Sequence, residues 1–417
     1  MHPPALHAAL IWLITLASIL FMLLRPWHVR EAVWIGSGAL LLIVGRLIPF
    51  RSALSAIGKG TDVYLFLTGM MLLAELARHE GVFDWIADRA VQHAKGSATR
   101  LFLLIYLTGA AVTALLSNDA TAVVLTPAIL AAVRRARVEP KPYLLACALV
   151  ANAASFLLPI SNPANLVVFG HHLPSLGLWL RIFLLPAAVS IAVTYLCLRF
   201  LSRKALASEV HCPRDLASLS PAGRLALGGL IFASVVLLVA SAFGIGLGVP
   251  TCAAALAALV LVSVKDRAIY KIATLEISWS ILPLVAGLFI LVEALNSAGL
   301  LHLIEGAFQW LTHQPTFAGY LGASGSAALL SNAMNNLPVA LASGAALQRT
   351  PQLSHAVLIG INLGPTLSVT GSLATILWLM ALRRENIALT RRQFFKTGLI
   401  IMPAALLFSV LALWLVA

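Results

Sequence analysis

Apolar runs of membrane-spanning length recur along this chain in two series of five. They fall near residues 5–24, 32–48, 62–79, 142–170 and 177–202, then near 223–243, 250–264, 278–297, 354–381 and 394–416. About 20 apolar residues in helical form cover the roughly 30 Å of hydrocarbon in a bilayer. The pattern predicts an all-α polytopic membrane protein with about ten transmembrane helices. Between the third and fourth run of each series lies a longer apolar stretch with a polar break, 100–134 and 316–348, with arms of about 15 residues. Such arms predict two re-entrant hairpins, because irregular backbone at membrane depth is tolerated only where it is buried in protein or lines a cavity. Two ordinary spans joined by a tight turn are the alternative. The fourth run of each series is interrupted too. Pro159 and Pro163 break 142–170, and Gly364, Pro365 and Gly371 break 354–381, which predicts two broken helices.

The two series match residue by residue. Gly69, Glu75 and Gly81 form G-x5-E-x5-G, and Gly287, Glu293 and Gly299 repeat it at an offset of 218 residues. Ser117-Asn118 and Ser331-Asn332, at the two hairpin breaks, repeat at an offset of 214. The order predicts a first repeat over 1–205, a cytoplasmic linker over 206–221 and a second repeat over 222–417. The linker carries Glu209, His211, Cys212, Pro213, Arg214 and Asp215. Five spans per half is an odd number, so the second repeat is expected to be inverted. With the N-terminus outside, 23 of the 28 Lys and Arg fall on the inner side and 5 on the outer, as the positive-inside rule requires. Both termini are then expected outside an inner (plasma) membrane of bacterial type. Segments 81–95 and 300–312 read as interfacial helices beside the hairpins.

Composition agrees with this reading. The chain is 60% hydrophobic and 10% charged, against about 25% charged residues in soluble domains. Its net charge of +13 is a topology signal, and nucleic-acid binding is not expected. The first run has no Lys or Arg before it and no cleavage site, so it reads as a retained span. Cys147, Cys197, Cys212 and Cys252 show no metal or redox spacing. No cofactor or metal site is predicted.

The candidate chemistry sits at the four breaks. The first hairpin tip, LLSNDATAVVLTP, carries Ser117, Asn118, Asp119 and Thr121; the second, LLSNAMNNLP, carries Ser331, Asn332 and Asn335. The first broken helix offers Ser161, Asn162 and Asn165, and the second offers Thr366, Ser368, Thr370 and Ser372. Helix ends freed at such breaks add partial charges beside a cavity. The bland alternative is that these side chains are polar glue between membrane helices. Asp119 is the one acid at a hairpin tip, and an ionisable group at membrane depth is costly enough to mark function. Desolvation penalises its charged form, which makes it the candidate proton carrier. Glu75 and Glu293 stand near span ends and rank next. No Lys or Arg lies at the four breaks, so the site suits a neutral hydroxylated solute, or an anion met by a cation or by helix ends. Gly322-Ala323-Ser324-Gly325 resembles the Gly-x-Ser-Gly element of intramembrane proteases, but no histidine is placed to activate Ser324. The chain has no Gly-x4-Gly-Lys-Ser/Thr phosphate loop. It is not expected to hydrolyse ATP or to be an enzyme.

At SNDATAVVLTP, SNPANLVVFG, SNAMNNLP and LGPTLSVTGSLATILW the chain resembles the arsenical pump membrane protein family, the ArsB-type arsenite/antimonite efflux transporters. That family lies within a superfamily that includes dicarboxylate and citrate carriers and NhaD-type antiporters. The resemblance implies a scaffold, a transport domain with two hairpins, and extrusion of arsenite or antimonite in exchange for protons. It allows an ATPase subunit and a homodimer as partners, beside membrane lipid. Many members of the family carry an acid where this chain has Asn362, and some where it has Asn152. Na⁺/H⁺ antiport and organic-anion transport are the alternatives on the same scaffold, and intramembrane proteolysis a remote one.

Overall fold

The computed structural model describes residues 5–211, 218–266, 269 and 277–417. Cys212, Pro213, Arg214 and Asp215 of the linker, and Arg267 and Lys271 of the charge tally, lie outside them. Among the described residues every named element is helical, and an isolated bridge pairs Ser97 with Glu209.

The first half runs α1 (Ala5–Leu24), α2 (Glu31–Val44), α3 (Phe50–Lys59), α4 (Thr61–His79), α5 (Val82–His93), α6 (Ala98–Leu115), α7 (Thr126–Arg135), α8 (Pro140–Ala153), α9 (Pro163–Phe169) and α10 (Leu176–Leu201). The second runs α11 (Pro221–Ala242), α12 (Gly248–Ser263), α13 (Ile281–Ser297), α14 (Leu300–Thr312), α15 (Thr316–Met334), α16 (Asn336–Leu347), α17 (Ser354–Leu363), α18 (Leu373–Arg384) and α19 (Arg391–Val416).

By helix length alone the structure gives fewer spans than the ten or so expected. Among the described residues, five helices are long and apolar enough to cross a membrane: α1, α6, α10, α11 and α19. The pairs α3–α4 and α13–α14 pass the same test together, bent by 48° and 76°. Runs 142–170 and 354–381 are divided by their prolines and glycines into α8 with α9 and α17 with α18. The first hairpin arm, α6, has 18 residues, longer than the spacing of the polar breaks predicts. Large apolar side chains face outward on several helices, among them Leu13, Leu40, Ile231, Val260 and Leu415. Apolar surface on this scale is stable against lipid and a liability in water.

The G-x5-E-x5-G motif has a physical content at each position. A Cβ on Gly69 of α4 would sit 2.7 Å from the carbonyl carbon of Thr251 on α12, and one on Gly287 of α13 would sit 2.7 Å from Ile35 Cγ2 on α2. The first glycine thus lets α4 pack on α12 and α13 pack on α2. The last glycine is left-handed, φ 70° at Gly81 and 98° at Gly299. That conformation costs glycine little and other residues more. It ends α4 and α13 and turns the chain into α5 and α14. The central acids are paired, Glu75 with Arg78 one turn on and Glu293 with Lys59 Nζ at 2.9 Å.

Candidate functional site

The first hairpin turns at Leu116–Ser117, and Asn118 begins its returning arm. Ser117 Oγ accepts the Ala120 N–H at 3.2 Å. The hydroxyls of Thr113 and Thr121 meet at 2.8 Å and hold the two arms together. Ala120–Leu125 is a π-helical turn. Its cause is Pro127, which lacks an N–H and whose ring crowds the carbonyl four residues back; the wider turn makes room. Thr126 Oγ1 takes up the Thr121 carbonyl at 3.1 Å.

Ser117 and Asp119 line a cavity of about 90 Å³ whose facing wall is α4, through Phe66, Met70, Met71 and Glu75. No Lys or Arg lines it among the described residues. A second cavity of about 470 Å³ shares Ile277, Ser278 and Leu377 with the first and is lined by Arg25, Arg30 and Arg384. Asn118 is buried with its Oδ1 unpartnered.

The second hairpin does not break at its Ser-Asn pair. Ser331 and Asn332 belong to the last turn of α15, and the chain breaks at Asn335, φ 77° and ψ 153°. The reason is again a proline. Pro338 lies in the first turn of α16, where its missing N–H costs nothing, so the break falls just before it. Asn335 caps α16 through the Leu337 N–H. Ser331 Oγ is spent on the Ala327 carbonyl at 2.8 Å. Asn332 Nδ2 donates to the carbonyls of Ala328 and Gly364, both at 2.8 Å. Its Oδ1 accepts from Ser368 Oγ at 2.6 Å, and Thr370 Oγ1 donates to its carbonyl at 3.3 Å. The second tip is thus tied to the second helix break.

The two broken helices meet through amides. Asn162 caps α9 by accepting the Ala164 N–H at 3.0 Å, and its Nδ2 donates to Asn362 Oδ1 at 2.7 Å. Asn362 Nδ2 donates in turn to Asn165 Oδ1 at 3.0 Å. Asn165 Nδ2 donates to the Ser155 carbonyl at 2.8 Å. All three asparagines are buried, where an amide left unpaired costs about 1–3 kcal/mol. Ser161 Oγ donates to the Ala114 carbonyl at 3.2 Å, joining this break to α6. Ser372 caps α18 and meets Thr375 Oγ1 at 2.6 Å. Asn152 Nδ2 and Thr366 Oγ1 are buried without partners.

The structure therefore sorts the sequence-predicted residues into four groups. Ser117 and Asp119 face a cavity. Asn162 and Asn165 join the halves through Asn362. Asn332 and Thr370 form a cluster with Ser368. Thr121, Ser161, Ser331, Asn335 and Ser372 hold the breaks in shape. Sequence reasoning missed Asn362, Thr113 and the α4 wall as parts of this assembly. The signal for Asn362 is an amide alone in the apolar run Ala356–Leu363. Ser324 is fully buried, its Oγ donates to the Leu321 carbonyl at 3.2 Å, and Gly360 of α17 rests on its backbone. It is a helix-packing residue.

Comparison with known proteins supplies the family. The citrate transporter (CitMHS) family matches residues 9–369. The arsenical pump membrane protein of Escherichia coli strain K12 is 30% identical over 367 residues, 82% of this chain and 83% of that protein. The arsenical pump membrane protein of Yersinia enterocolitica is 29% identical over 363 residues, again 82% and 83% of the two chains. Among solved structures, the Alcanivorax borkumensis YdaH transporter shares the fold, with a TM-score of 0.58 at 14% identity over 88% of this chain and 87% of that one. The chain belongs to the arsenical pump membrane protein family, within the transporters that the citrate transporter family describes.

Proposed function

We propose that this membrane transporter extrudes arsenite or antimonite in exchange for protons. The observation that carries the reading is the cavity at the first hairpin tip, where Asp119 and Ser117 face α4 with no Lys or Arg in the lining. The names of the relatives support the metalloid. Trivalent arsenite near neutral pH is mostly the uncharged trihydroxide, and amides and hydroxyls meet it with both donors and acceptors. The solute lies beside Ser117 and Asn118, between the hairpin tips and the helix breaks. Thiolate coordination is not needed.

The halves 1–205 and 222–417 are an inverted repeat with ten spans, two of them broken, and two re-entrant hairpins. Supporting this, Gly81 and Gly299 both end a span, and Pro403 stands inside α19 217 residues after Pro186 stands inside α10. The face bearing Arg134, Arg135, Arg383 and Arg384 is cytoplasmic, and both termini are outside a bacterial-type inner membrane. Asp119 releases its proton while the site faces inward and takes up solute. It is protonated from outside after the solute leaves.

The test is resistance to arsenite and antimonite in a strain lacking its own pump, followed by flux in everted vesicles. Asp119→Asn is expected to abolish proton-driven accumulation and to keep solute exchange in part. Replacing the cysteines with Ala is expected to leave transport largely intact. No gain of resistance, or uphill transport by Asp119→Asn with normal pH dependence, sinks the reading. Arg25, Arg30 and Arg384 in the adjoining cavity favour a second one, an organic-anion carrier, which dicarboxylate or citrate flux without metalloid resistance would establish.

A further inference from the structure

We propose that Glu75 is the relay through which Asp119 exchanges its proton with water at the Arg78 end of α4. This rests on the reading of Asp119 as the coupling acid. Asp119 and Glu75 line one cavity, and among the described residues they are its only titratable groups. Most of the lining is apolar, including Met70, Met71 and Ala74 on α4 and Ala120, Val123 and Val124 on the hairpin. The other polar side chains in the described lining are the hydroxyls of Ser117 and Ser278, which with the two carboxyls give water its partners. At roughly 10–15 Å³ per water on this measure, the cavity of about 90 Å³ has room for several waters, and a chain of them carries a proton between two carboxyls.

The other way out is unfavourable to a cation. It leads past Ile277, Ser278 and Leu377 into the cavity lined by Arg25, Arg30 and Arg384, with Glu31 the one acid among its described lining residues. Fixed guanidinium charge raises the barrier to protons, as arginine does in selective pores. A neutral solute feels no such barrier. Glu75 stands at the boundary, its side chain 14% exposed, and its partner Arg78 is 44% exposed one turn nearer the end of α4. Solute thus enters the site, and the proton leaves it, by different routes. The carboxylate of Glu75 accepts the proton that Asp119 gives up, then passes it to water beside Arg78. One proton moves and no other bond changes.

The experiment uses the full chain in proteoliposomes with arsenite as solute. It compares Asp119→Asn, Glu75→Gln and Glu75→Asp for proton-driven accumulation and for arsenite exchange without a proton gradient. Glu75→Gln is expected to slow accumulation at least tenfold while retaining most of the exchange, with partial recovery on adding formate, a small diffusible proton carrier. Glu75→Asp, which keeps the carboxylate, is expected to keep most of both activities. Accumulation at the parent rate by Glu75→Gln, alongside a dead Asp119→Asn, overturns the relay alone. So does an equal loss of both activities in Glu75→Gln without formate recovery, since that marks a structural role. Normal accumulation by Asp119→Asn overturns the coupling reading itself.

Discussion

Arg349 donates to Glu305 at 3.0 Å and ties the C-terminal end of α16 to α14. The first half carries the same tie, because Arg135 at the end of α7 meets Asp88 on α5. In both, the outgoing arm of a hairpin is fastened to the short helix that follows a glycine-ended span. The Glu305 side chain is 7% exposed and that of Asp88 15%, so removing the cation leaves Glu305 the worse solvated. Arg349→Met is expected to lower stability by about 1–3 kcal/mol, and Arg135→Met by less. Thermal unfolding of the purified protein in detergent measures both, and a larger loss at Arg135 contradicts the ranking.

Asn362→Ala removes both partners that Asn362 supplies across the helix breaks. Asn162 Nδ2 and Asn165 Oδ1 then lose their shared contact. Two buried groups without partners cost about 2–4 kcal/mol together. The same thermal assay is expected to show a clear drop, with Leu399→Ala, at an outward-facing position, as the near-neutral control. Equal midpoints for the two variants would show that water replaces the lost amide at no cost.

Glu80 closes the C-terminal end of α4. Burial pushes its carboxyl above the usual range, His79 pulls it back, Asp266 pushes it up again, and a hydrogen bond from Ser220 lowers it. Its folded-state value stands above the unfolded one, so folding favours the protonated acid. That contribution is present below the unfolded value and is lost as pH rises through the folded one. Glu80→Gln is therefore expected to stabilise the protein slightly at pH 7, by no more than ~1 kcal/mol given solvent screening, and to flatten the fall in stability between acidic and neutral pH. Unfolding midpoints of both proteins across that range decide it; a steeper fall in the variant contradicts the sign.

The all-helical fold is legible in the sequence because lipid enforces a simple rule of apolar length, and the broken helices are announced by their prolines and glycines. The G-x5-E-x5-G repeat is legible for the same reason: its glycines do backbone work that other residues cannot do in place. The Ser-Asn pairs mislead at the second tip. Sequence alone aligns Ser331-Asn332 with Ser117-Asn118, whereas Pro127 and Pro338 sit at different depths in their arms and move the break to Asn335. The bridge through Asn362 is illegible because it joins Asn162 to a residue 200 positions away, and no periodicity encodes that pairing. The cavity is half legible. Asp119 declares itself as an acid in an apolar stretch, but its facing wall on α4 depends on how separate helices pack.

The fastening of Asn162, Asn165 and Asn362 is made entirely of neutral amides. Such groups do not titrate, and salt screens them weakly. Parting them exposes donors and acceptors that water must satisfy. If the two halves separate here during transport, that step takes up water. Its rate then depends on water activity: sucrose or another excluded osmolyte slows it, while changes of pH and ionic strength act only through the carboxyls and arginines elsewhere.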